Sequence, residues 1–168
     1  MIQDHEVFEA VRRGYSELEL ASNSDILDYF SSLEVDSVTG HINHVKGILF
    51  EQEYIDALAE KGIEAEIFEV TNHPGTDIQL LDGSPDVTEF QLKATDSVSY
   101  INTAMTENPE TAFVVTSEVA ANFEPGLVID SEIENSSLEE AVSETLLEEV
   151  TNPVSPLSVV GWFFGLPF

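Results

Sequence analysis

The chain has 168 residues, 42% of them hydrophobic, with 33 acidic side chains against 5 lysines and arginines, for a formal net charge of −28. That length and hydrophobic content suit one compact domain and exclude a chain disordered throughout by low hydrophobicity. The absence of cysteine excludes a disulfide framework and a thiolate metal site, and the charge predicts general repulsion of nucleic acid and anionic membrane.

The opening "MIQDHEVFEAVRRGY" has no apolar signal-peptide core, so a cleaved leader is not expected and a cytoplasmic location is. Residues 1–40 read as a helical extension. Val7, Phe8, Val11 and Tyr15 have helical spacing, and "SNSDILDYFSSL" begins with Ser and Asn in the manner of an N-cap. Residues 34–41, "EVDSVTGH", read as a loop. A longer helix is expected over residues 43–61, ended by Gly62. Its apolar stripe is Val45, Ile48, Leu49, Ile55, Leu58 and Ala59, with Glu51 at the edge of that face and Glu53 pointing well away.

Three strand-like runs follow: "AEIFEV" (65–70), "TDIQLL" (76–81) and "TEFQLKA" (88–94). The turns "NHPG" and "DGSPD" between them are short enough for an antiparallel meander. A helix N-capped by Asp96 is expected to run to about residue 107, where "NPE" stops it. The apolar "AFVVTS" (112–117) and "GLVID" (126–130) are two further strands, and "SLEEAVSETLLEEV" closes the domain as a helix. The expectation is a mixed α/β sheet with helices on its faces.

Residues 151–168 differ in kind: two prolines precede an apolar run holding the only tryptophan. The run is about 15 residues, below the ~20 needed to span a bilayer. Packing on the domain, a partner interface and membrane contact through residues 154–168 all remain open.

The chemistry gathers in the third strand-like run. Alternation puts Glu89, Gln91 and Lys93 on one face and Phe90, Leu92 and Ala94 on the other. Pairing with the preceding run brings Asp77 beside Gln91 and Lys93, and Glu51 on the long helix is within reach of the same spot. Such oxygen donors suit a hard divalent cation, and a lysine beside it can orient or deprotonate a water and oppose developing negative charge. The plainer readings are a rim position for Glu51, a structural cross-strand charge pair for Lys93, and a turn cap for Asp77. His41, His44 and His73 lack the i, i+4 spacing of a helical zinc motif. His41 and His44 read as polar residues at the entrance to the long helix, where contact with a phosphate is the alternative.

"KGILFE" on a helix, then "PGTDI", then "EFQLK" resembles the PD-(D/E)xK superfamily of restriction-endonuclease-like nucleases, in particular the Mrr-like branch with glutamine in the third motif. The resemblance covers roughly residues 43–147. It implies an α-β-β-β-α-β-β-α core over residues 41–150, with an extra N-terminal helical segment. It also implies a Mg²⁺- or Mn²⁺-dependent endonuclease acting on phosphodiesters, DNA more readily than RNA. Carried over, the helix acid falls on Glu51, the strand aspartate on Asp77, the second acidic position on Gln91 and the lysine on Lys93. Asp77, Gln91 and Glu51 are then the metal ligands, with Glu89 as a further candidate compensating for the neutral Gln91.

The charge of −28 opposes DNA binding, which normally rests on Lys and Arg. Weak affinity for this chain alone is therefore expected, with targeting supplied by a protein partner or an oligomer. Two alternatives accompany the nuclease: an inactive interaction domain whose acidic surface takes a cationic partner, and a membrane-tethered toxin or defence effector.

Overall fold

A computed structural model describes residues 1–67, 77–81 and 89–151, with side chains as far as residue 147. The expected turns "NHPG" and "DGSPD", His73, the outer residues of the first three strand-like runs and the apolar segment after residue 151 lie outside the described residues. The order is α1 (Asp4–Gly14), a 3-10 turn (Ser16–Leu18), α2 (Asn23–Ser31), α3 (Val35–Glu60), β1 (Ala65–Ile67), β2 (Ile78–Leu80) and β3 (Glu89–Lys93). It continues with α4 (Val98–Glu107), β4 (Ala112–Val115), α5 (Ser117–Ala120), β5 (Ile129–Asp130) and α6 (Asn135–Thr151). The chain divides into two compact units, one of Met1–Ile48 with the chain from Glu139 onward, the other Leu49–Leu138. The division falls inside α3, eight residues beyond the end of the expected extension at residue 40.

In the first unit the helices form where the spacing says they should. Val7, Phe8, Ala10 and Val11 of α1 are buried, and Ser22 caps α2 by accepting the Asp25 N–H at 3.1 Å. The loop expected at residues 34–41 is instead helical from Val35 onward. Val38, Ile42, Val45 and Leu49 recur at steps of four, three and four and are all buried, so the apolar stripe of α3 begins a turn and a half earlier than Asn43. Gly40 lowers helix propensity there by only about 1 kcal/mol, which tertiary burial overrides.

Past residue 48 the buried positions of α3 are Leu49, Phe50, Tyr54 and Leu58, while Ala59 is exposed. The larger aromatic rings rotate the buried face away from the expected Ile48–Ile55 line, because burial scales with apolar area. Glu53 is consequently half-buried rather than directed to solvent. The helix ends as expected. Gly62 has φ +78°, its N–H reaches Ala59 O at 3.0 Å, and the Ile63 N–H reaches Leu58 O at 2.9 Å. This pair of bonds needs a left-handed residue, which glycine adopts without strain.

The second unit holds a five-stranded mixed sheet in the order β1-β2-β3-β4-β5. β1, β2 and β3 form the expected antiparallel meander, with Glu66 opposite Gln79 and Ile78 opposite Phe90. β4 runs parallel to β3, setting Gln91 beside Phe113 and Lys93 beside Val115, and β5 runs parallel to β4. Ile101 of α4 and Val119 of α5 close over Phe113 and Val115 in one buried cluster. The short α5, which replaces a simple turn expected between β4 and β5, contributes to that cover. The cap of α4 is Ser97, whose Oγ accepts the Tyr100 N–H at 3.2 Å, one position later than the expected Asp96.

Candidate active site

Asp77 sits where the β2–β3 ladder ends. Its N–H donates to Phe90 O at 2.8 Å, and its carboxylate Oδ2 accepts the Leu92 N–H at 2.7 Å. The side chain thus takes over an acceptor position that a strand carbonyl would fill, which fixes the carboxylate against the Phe90–Leu92 backbone. Burial pushes the Asp77 carboxyl above the usual aspartate value; the Leu92 N–H and the Lys93 charge pull the other way without cancelling it. Asp77 and Lys93 therefore share one electrostatic neighbourhood.

The expected alternation shows in β3 only at Leu92, since Phe90 is half-buried like its polar neighbours. Leu92 is buried, while Gln91 and Lys93 are half-buried on the face they share with Phe113 and Val115. Lys93 Nζ lies 5.8 Å from the centroid of the Tyr100 ring, a cation–π distance. Tyr100 is half exposed at the start of α4. The chain between them is pinned by Thr116, which is fully buried. Its Oγ1 donates to Thr95 O at 2.6 Å and accepts the Thr95 N–H at 3.3 Å. The end of β4 thereby fixes the exit of β3, and with it Lys93 and Tyr100.

Glu89 stands opposite Gln79, whose Nε2 donates to Glu66 on β1, so Glu89 continues a polar row across the meander. Glu51 is half-buried on α3 in the same compact unit as the strands. Among the described residues no group of three or more His, Asp or Glu side chains is placed to hold a metal ion. Asp77, Glu51 and Glu89 therefore do not form a carboxylate trio, which removes Glu89 from the expected donor set and leaves two carboxylates with the Gln91 amide oxygen.

The other two lysines are occupied differently. Lys46, 7% exposed, faces Glu139 at 3.6 Å, and Lys61 reaches Glu132 at 3.0 Å on the surface. His41 and His44 belong to an aromatic group with Tyr15 in the helical unit. Tyr100 and Thr116 escaped the sequence reading. Tyr100 looks like one more polar-face helix residue, and Thr116 like the last residue of an apolar strand.

Glu118 of α5 accepts the N–H groups of Asn135 at 2.7 Å and Ser136 at 2.9 Å, capping α6. Burial pushes its carboxyl up, but these donors outweigh that and leave it below the usual glutamate value. No helix among the described residues is long and apolar enough to cross a membrane. No family model matches the chain, and the searches of curated proteins and of solved structures also find no match.

Proposed function

We propose that this chain is a metal-dependent nuclease of the PD-(D/E)xK type, hydrolysing phosphodiester bonds, with Asp77, Gln91, Lys93 and Glu51 as its working residues. The observation that carries the reading is the carboxylate of Asp77 held against the Phe90–Leu92 backbone within the field of Lys93. The element order from α3 to α6, interrupted only by the short α5, supports the restriction-endonuclease-like core.

Asp77, the Gln91 amide oxygen and Glu51 would hold Mg²⁺ or Mn²⁺, without Glu89, since no three carboxylates are gathered at one point among the described residues. A divalent ion there supplies Lewis-acid polarisation of the phosphoryl group and local reversal of an otherwise negative field. Asp77 keeps its geometry because one oxygen is committed to the Leu92 N–H. Lys93 orients the attacking water, takes its proton when deprotonated, and as an ammonium opposes charge on the phosphoryl oxygens. Tyr100 limits where the ammonium can go.

The test is cleavage of plasmid, single-stranded DNA and RNA by the full chain with Mg²⁺ or Mn²⁺ and with chelator. Activity that needs metal and disappears in Lys93→Ala and Asp77→Asn supports the reading. Absence of metal-dependent cleavage on all three substrates overturns it.

The net charge of −28 favours a second reading, a non-catalytic domain whose acidic surface takes a cationic protein. Binding of a basic partner that is screened by salt and indifferent to Lys93→Ala is its signature.

A further inference from the structure

The helical unit contains an open cleft of about 420 Å³ lined by Tyr15, Asp36, Ser37, Gly40, His41 and His44. We propose that this cleft is a binding site for an organic cation, a quaternary ammonium or guanidinium head group seated among aromatic rings beside a carboxylate. This site is independent of the nuclease reading.

Its walls are built. The Tyr15 hydroxyl and His41 Nδ1 are hydrogen-bonded at 2.7 Å, their rings are stacked with an interplanar angle of 18°, and the His44 ring meets Tyr15 edge-on at a centroid separation of 5.2 Å. His44 Nε2 is tied to Gly14 O at 3.2 Å, so the second imidazole is also fixed. Behind them Tyr29 and Phe30 meet Tyr15 edge-on at 5.7 and 5.8 Å. With Tyr15 and Phe30 themselves buried, the rings open to the cleft are the His41 and His44 imidazoles, and their fixed partners leave them little freedom to lose when a cation arrives.

The local charge selects the ligand's sign. Asp36 is the charged carboxylate in the lining, where lysine and arginine do not occur. Glu17 adds to the negative field, acting on both Tyr15 and Tyr29. Burial first, then Tyr29 and Glu17, push the Tyr15 phenol up to about 12, so the ring meets a ligand as a neutral phenol.

Gly40 supplies the second line of argument. A glycine inside a helix is destabilising by roughly 0.5–1 kcal/mol relative to alanine. A Cβ added at Gly40 meets nothing within 4 Å among the described residues, so none of them requires glycine there. A ligand resting on the helix backbone would. A Cβ at Gly47 on the same helix also meets nothing within 4 Å among the described residues, but Gly47 lies outside the lining, which makes it a control position.

The experiment is NMR titration of the full chain, following the Tyr15, His41 and His44 ring signals. One arm uses tetramethylammonium chloride, a second uses an N-acetylated arginine amide, and inorganic phosphate is the anion control. The two cation arms distinguish an ammonium from a guanidinium ligand. The expected result is saturable shifts with at least one cation and none with phosphate. Gly40→Leu raises the midpoint by at least about tenfold, a change of about 1.4 kcal/mol in binding. Asp36→Asn raises it by about threefold or more, and Gly47→Ala leaves it unchanged. The thermal midpoint of Gly40→Leu, at or above that of the parent chain, shows that the fold is intact. Shifts absent with both cations, equal in Gly40→Leu or Asp36→Asn, or reproduced by phosphate, overturn the proposal.

Discussion

The two compact units treat their scarce positive charge in opposite ways. In the helical unit Lys46 is buried against α6 and faces Glu139, and its long aliphatic stem is as much a part of the arrangement as its charge. In the sheet unit Lys93 stays half-buried on β3, in the field of a half-buried carboxylate and over the ring of an exposed tyrosine. A lysine that serves packing withdraws from solvent. One that serves chemistry must keep its nitrogen reachable while its neighbours limit where it goes. The half-buried placement of Lys93 on its strand is compatible with the catalytic role proposed for it.

The largest expected effect separates the two lysines with one substitution. Lys93→Met removes metal-dependent cleavage, a fall of about 10²-fold or more as expected for loss of a proton-transfer group, with stability little changed. Lys46→Met leaves cleavage intact and stability within about 1 kcal/mol, because methionine replaces the buried stem and the exposed Glu139 remains solvated. Cleavage assays with denaturant titrations of both variants read this out. Equal loss of activity in the two would erase the contrast.

Thr116→Val tests whether the anchoring of the β3 exit matters. It strips the partner from both backbone groups of Thr95 in a buried position, a loss of about 1–3 kcal/mol. Activity should fall further than unfolding alone explains, since Lys93 and Tyr100 flank the released segment. Activity proportional to the folded fraction would show that the anchor serves stability alone.

Two carboxylates sharpen the comparison by pH, and their signs differ. The Asp77 carboxyl is raised in the folded chain, so its contribution to stability is present below its unfolded pKa and lost as pH rises through the folded value. Asp77→Asn is therefore as stable as the parent or more stable at neutral pH, while cleavage disappears. A thermal midpoint clearly below the parent's at pH 7 would contradict the burial argument.

Glu118 is lowered, so it stabilises above its unfolded pKa and loses that contribution as pH falls through the folded value. Glu118→Gln is expected to lose about 1 kcal/mol at neutral pH, the size of a helix cap. The difference from the parent should vanish in acid, as thermal melts across the pH range would show.

Much of this was legible in the residues themselves. Alternation in "EFQLK" was enough to put Gln91 and Lys93 on one face and Leu92 in the core, since the period of a strand is fixed by its backbone. Gly62 announced the end of α3 because a left-handed position favours glycine. The short turns implied the antiparallel meander. The helix expected before residue 112 is present as α4, while the parallel direction of β4 was not read from the sequence.

Other features were invisible for equally physical reasons. Residues 35–41 contain Asp, Ser, Thr and Gly, poor helix formers, and only burial of Val38 and Ile42 against other elements makes them helical. The face of α3 beyond residue 48 was set by the bulk of Phe50 and Tyr54 in competition with Ile48 and Ile55, a contest decided by the surfaces they meet. Tyr100, Thr116 and the Tyr15–His41 pair act across separations of 7, 21 and 26 residues. Local sequence fixes the period, direction and termini of an element, because those depend on backbone geometry and near neighbours. Which side chains share a hydrogen bond, a ring face or a charge depends on how elements meet, and only the folded structure decides that.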